Sequence, residues 1–113
     1  MKRSILVSLC CLLLIACSKK ETETKTTDVC RKTYNGAIKT IVDTKCAISG
    51  CHVAGATTGD FTTYTGIKKK ADEGRIQTHV FELKIMPPAS ATQLTEEEKQ
   101  SIKCWLDNGA PES

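Results

Sequence analysis

The amino-acid sequence predicts an all-α fold of three to four short helices and the loops that join them. Two observations carry that expectation. Apolar side chains recur at three- and four-residue intervals wherever a segment is regular, and no segment alternates apolar with polar residues as a half-buried strand would. Helix punctuation is the third observation: threonines stand where N-caps belong, Pro87-Pro88 stops one stretch, and Asn108-Gly109 closes another.

From the N-terminus, Lys2 and Arg3 precede an apolar run from Ile5 to Ala16, which ends at Cys17 before Ser18-Lys19-Lys20. The run is too short for a retained spanning helix, and residues 1–16 read as a signal peptide. Leu14-Ile15-Ala16-Cys17 resembles the lipobox of bacterial lipoproteins. That resemblance implies acylation of Cys17 and an exported protein, lipid-anchored to a bacterial membrane, the outer membrane facing the periplasm or the cell surface. An ordinary signal peptide with an incidental cysteine is the alternative. Several acyl chains anchor stably where one binds marginally. Every residue from Ser18 to Thr27 is Ser, Lys, Glu or Thr, which can bury nothing, so 17–27 is expected to be a lipidated cysteine and a flexible tether. One folded domain, 28–113, follows.

Within that domain the first helix runs from Tyr34 to Thr44, with Thr33 as N-cap and Ala37, Ile38, Ile41 and Val42 as its apolar stripe, and it leads straight into Cys46. Val53 to Asp60, rich in Gly, Ala and Thr, reads as a loop whose small residues let backbone lie close to a ligand. A second helix covers Tyr64 to Ala71, capped by Thr62 or Thr63. In Gly74 to Lys84 the residues Ile76, Val80, Phe81 and Leu83 fit a helical stripe and an irregular wall equally well, and Pro87-Pro88 ends it. Thr95-Glu96-Glu97-Glu98 is a capping box with acids at the positive end of a last helix, which turns Ile102, Trp105 and Leu106 inward.

The domain is balanced in charge, with eleven basic and eleven acidic side chains, which argues against nucleic acid as a partner. Lys68-Lys69-Lys70 is its only basic run and reads as a solvated helix face. Few large apolar side chains are available to such a small domain, so its core is thin unless a large apolar group completes it. No Ser/His/Asp grouping and no phosphate loop is present, so no enzyme activity is expected.

The chemistry lies in Cys46-Ala47-Ile48-Ser49-Gly50-Cys51-His52. Two cysteines with a histidine directly after the second, in an exported chain, point to covalent attachment of one haem c through Cys46 and Cys51, with His52 as the first axial ligand to iron. The usual motif has two residues between the cysteines, and this one has four. Zinc competes poorly, because a structural site needs four ligands, usually as two spaced pairs, and no second pair exists. A disulfide or incidental cysteines is the remaining alternative. For a second iron ligand the chain beyond the signal peptide offers only Met86 and His79.

Ile38 to His52, Met86-Pro87-Pro88, Leu94 to Glu98 and Trp105 to Ala110, in that order, resemble the small single-haem cytochrome c domains of bacterial lipoproteins, some of which space their haem cysteines as here. The resemblance implies a cytochrome c-like fold around one covalent haem, with Met86, the methionine before proline, as distal ligand. A His/Met pair raises the potential relative to more basic ligands. Methionine also serves commonly as a core filler, and His79 as a half-buried wall residue. Arg75 and Tyr64 are candidates to bind the haem carboxylates, and either one equally suits ordinary surface placement.

Cys30 and Cys104 are left over, and an even remainder in an exported protein suggests a disulfide; the crossing of first and last helices in the cytochrome c fold would bring them together. Two buried thiols are the alternative. The expected function is membrane-tethered one-electron transfer between donor and acceptor proteins. The alternatives are a haem-based sensor with a labile Met86, and a non-haem module held by disulfides.

Overall fold

The computed structural model describes residues 31–113. The signal peptide, Cys17, the tether and Cys30 lie outside the described residues.

The described chain is helical with no strand among its residues. A π-helical segment, Tyr34–Ile38, runs into α1, Lys39–Lys45. Tyr34, Ile38, Ile41 and Val42 are buried on one side, as their three- and four-residue spacing demands. Thr33 precedes the segment in extended conformation, but its side chain makes no cap bond. Gly36 departs from helical geometry, and the amides of Gly36 and Ile38 reach the Thr33 carbonyl instead, at 3.2 and 3.4 Å. The amides of Tyr34 and Asn35 are taken by the carbonyls of Pro111 and Glu112, both at 2.9 Å, so the C-terminal tail caps the first helix.

Helix α2, Tyr64–Asp72, begins as expected at Thr63, whose hydroxyl accepts the Gly66 amide at 3.2 Å. A Cβ at position 66 would stand 1.7 Å from the Asp60 carbonyl oxygen, so only glycine lets the helix start this close to the preceding loop. Asp60 shapes that loop by accepting the Thr62 hydroxyl at 2.5 Å and the Thr62 amide at 2.9 Å, and these two bonds, the hydroxyl's foremost, hold its carboxyl below the ordinary carboxylate range. Lys68 pairs with Asp72, and Lys70 with Glu73 at 2.9 Å, so the basic run is a helix face balanced by its own acids.

Gly74 to Lys84, ambiguous in sequence, contains a second π-helical segment, Gln77–Glu82, closed by Leu83 N–H donating to the Thr78 carbonyl at 2.8 Å. The wider turn explains the ambiguity. Ile76 is buried and Val80 and Phe81 pack on the core, but Leu83 is 58% exposed, against its place in the expected stripe. Helix α3, Glu96–Asp107, carries the full capping box: Thr95 Oγ1 accepts the Glu98 amide and Glu98 accepts the Thr95 amide at 2.8 Å. Its buried stripe is Ser101, Ile102, Cys104 and Trp105.

The first π-helical segment packs against α3. Trp105, 0% exposed, is the keystone: its indole N–H donates to the Pro111 carbonyl at 2.9 Å, and its own carbonyl accepts the Ala110 amide at 2.8 Å. The core drawn from these elements lies against one side of a cavity, and that cavity is the site.

Candidate functional site

Between the helices lies a cavity of about 300 Å³, at the small end of the range for ligand pockets. Its floor is apolar, with Ile38, Val42, Ile102 and Trp105 among its residues, and Cys46, His52, Arg75, His79 and Met86 are also in its wall. Five side chains singled out by chemistry, drawn from positions 46 to 86, thus meet at one place.

On one wall, Cys46 ends α1, its amide donating to the Val42 carbonyl at 2.9 Å. The four residues before Cys51 fold into a turn: the Cys51 amide donates to Ile48 at 2.9 Å, and the His52 amide donates back to the Cys46 carbonyl at 3.1 Å. The longer spacing is therefore absorbed locally, and His52 returns to Cys46. Neither Cys46 nor Cys51 is in a disulfide. Burial, with lesser contributions from Cys51 and Glu98, pushes the Cys46 thiol up to about 11. Cys51 is half-buried and not part of the cavity wall.

His52 is held on three sides. Its ring stacks on Phe61 with centroids 4.0 Å apart and planes 7° from parallel, its carbonyl accepts the Phe61 amide at 2.9 Å, and its Nδ1 lies 3.2 Å from the Gly59 carbonyl. A carbonyl can only accept, so Nδ1 donates to Gly59, with the Thr58 hydroxyl 3.4 Å from the same nitrogen, and in the neutral ring this tautomer leaves the lone pair on Nε2. This is the arrangement by which metal-ligating imidazoles are oriented and made more basic. Gly59 presents that carbonyl at φ +118°, a conformation side chains resist, and a Cβ there would press on Lys70 Cε and Phe61 Cε1 at 3.2 Å each.

Elsewhere in the cavity wall, Met86 follows the second π-helical segment and is 36% exposed. The amides of Ile85 and Met86 both donate to the His79 carbonyl, at 2.9 and 3.2 Å, and the Met86-Pro87 peptide is cis. Two residues that the sequence did not single out brace this loop. Gln93 Nε2 donates to the carbonyls of Pro88 at 2.8 Å and Ala91 at 2.9 Å. Lys45, next to Cys46, donates to the Gln93 carbonyl at 3.1 Å and pairs with Glu98 at 3.6 Å, tying the two walls and the α3 cap together. Side chain to backbone bonds across such sequence separations leave no periodic trace; only the position of Gln93 in the loop between Pro88 and the capping box marks it.

Arg75 reaches the rim, and its guanidinium makes none of the ion pairs found among the described residues. Tyr64 is elsewhere: its hydroxyl donates to the Ala110 carbonyl at 3.0 Å, its ring lies 5.3 Å from that of Tyr34, and it does not line the cavity. Cys104 is buried in α3, where Asn108 Nδ2 donates to its carbonyl at 2.9 Å; its suggested partner Cys30 lies outside the described residues.

Among the described residues no three His, Cys, Asp or Glu side chains converge as a metal-binding group. A neutral imidazole nitrogen and a thioether sulfur on one apolar cavity instead suit a metal inside a planar ring, with thiols at the edge for covalent attachment. No protein-family model, curated protein or solved structure matches the chain.

Proposed function

We propose that this chain is a single-haem electron carrier with a cytochrome c-like fold, held at a bacterial membrane by lipid on Cys17. The observation that carries the proposal is the convergence of Cys46, His52 with its Nδ1 bonded to Gly59, and Met86 on one apolar cavity. Bound there, haem c supplies a one-electron Fe(II)/Fe(III) couple.

The protein's own part is to bind, orient and exclude water. Cys46, with Cys51 nearby in sequence and outside the cavity wall, would hold the group by thioether bonds, His52 and Met86 would ligate its iron, and Arg75 would offer a guanidinium to a carboxylate. The apolar floor around Trp105 keeps the surroundings of the metal low in dielectric, which with the thioether ligand tunes the potential. A tether at 17–27 would confine the carrier near donor and acceptor proteins and raise their effective concentration.

The test is to express the full chain with and without haem-attachment machinery and weigh the purified protein. The expected product carries one covalent haem, with a low-spin Soret spectrum and a Met-iron charge-transfer band. A colourless protein of unmodified mass, matured in a competent host, would sink the proposal. A high-spin spectrum would replace electron transfer with small-ligand binding at an open iron position.

A further inference from the structure

The cavity wall contains two histidines, and both have the same tautomer built in. His79 Nδ1 lies 2.8 Å from the Arg75 carbonyl, as His52 Nδ1 lies 3.2 Å from that of Gly59. Each Nδ1 therefore donates, and in the neutral ring each Nε2 is the nitrogen with the lone pair that can bind a metal. His79 and Met86 line the same cavity, and the backbone of Met86 is bonded to the His79 carbonyl at 3.2 Å. Two potential iron ligands thus stand on one wall, fixed to each other through backbone.

We infer that His79 is a reserve distal ligand: when the Met86 sulfur leaves the iron, His79 Nε2 takes its position. The inference rests on the haem reading above. In the exchange one iron-sulfur bond breaks and one iron-nitrogen bond forms. His79 keeps its Nδ1 proton and gives only its Nε2 lone pair, so no electron and no proton is transferred. Met86 is 36% exposed and its neighbours Leu83 and Ile85 are exposed, so of the two proposed ligands it has the less enclosed surroundings, and it is the one taken to exchange. Imidazole on both faces is the more basic set and lowers the reduction potential relative to His/Met. The site then has two six-coordinate states of different potential and does not pass through a lasting open position.

The experiment uses the full-length, haem-loaded protein with Met86→Leu, which keeps an apolar side chain in the loop, alone and combined with His79→Gln. The single variant is expected to lose the Met-iron charge-transfer band yet remain low-spin, with a bis-imidazole electron paramagnetic resonance signal and a lowered potential. The double variant is expected to turn high-spin. A high-spin single variant overturns the inference while leaving the haem reading intact, as does a double variant that remains low-spin. Absence of haem from the wild-type protein overturns both. Should Met86→Leu fail to accumulate, flash photolysis of the reduced wild-type protein leaves Met86 unaltered. After the sulfur is ejected, a transient bis-imidazole phase is expected that is lost in His79→Gln, and its absence from the wild type overturns the inference.

Discussion

The two walls of the cavity are built to different standards. On the His52 side the proposed ligand sits inside a short loop closed on itself, stacked on Phe61 and bonded through Nδ1 to Gly59, with both of its backbone polar groups used. On the Met86 side the proposed ligand follows a wide π-helical turn, is 36% exposed, and has exposed neighbours in Leu83 and Ile85 at 58% and 49%. One wall fixes a donor in a single orientation. The other holds backbone by side-chain braces and leaves the donor itself loose, which suits a position where ligand identity sets the potential.

Removing the fixed ligand should have the largest effect. His52→Ala is expected to abolish stable low-spin haem, because no other imidazole is presented by the Cys46–His52 loop. Optical spectra of the purified variant check this; a low-spin protein with wild-type potential would show that the rigid wall is not where the metal is held.

Next comes Gly59→Ala, which leaves His52 present but disturbs its support. A side chain at φ +118° costs about 1–3 kcal/mol in strain alone, before it pushes on Phe61. The urea midpoint should fall accordingly, and the low-spin resonance signal should shift as the imidazole rotates. A loss below about 0.5 kcal/mol, within the range of neutral surface changes, would mean that the His52 wall has slack.

Gln93→Ala probes the looser wall. It removes two short hydrogen bonds to the Met86 loop, for a net loss of about 1 kcal/mol. If that loss falls on Met86 ligation, added imidazole should bind the ferric protein about fivefold more tightly, with no change in the resonance features that report His52. An effect equal on both walls would erase the distinction drawn between them.

Much of this was readable in the sequence, for physical reasons that differ along the chain. Ile38, Ile41 and Val42 and the α3 stripe follow helical spacing, and the Thr63 cap and the Thr95 capping box are local patterns, so these match. Ala37, by contrast, is exposed and Thr33 makes no cap bond where the first segment turns π-helical. Cys46, His52, Arg75 and Met86 were marked by side-chain chemistry and do share one cavity. Where geometry is neither local nor periodic, the reading stopped. The segment Gln77–Glu82 turns wider than an α-helix, so its apolar spacing favoured no period. Tyr64 is a candidate for the haem carboxylates by chemical capability alone, and the C-terminal tail claims its hydroxyl. Lys45 and Gln93 act on backbone carbonyls, and a carbonyl is present at every position.

The last prediction separates the chain before and after attachment. The Cys46 thiol, ordinarily near 9, is pushed to about 11 by burial in the folded, unattached protein. Below pH 9 the thiol is protonated in both folded and unfolded chains and contributes no pH dependence. Between 9 and 11 the unfolded chain has given up a proton that the folded one keeps, so it binds fewer protons, and stability falls as pH rises before levelling above 11. Urea midpoints of the precursor should therefore decline through this window and alkylation of Cys46 should lag behind that of an ordinary thiol, since the thiolate is the nucleophile. Cys46→Ser should remove that part of the decline. In matured protein a thioether has no proton to lose, so this contribution should vanish. If it survives maturation unchanged, Cys46 is still a thiol, and the His52 wall lacks the covalent bond proposed for it.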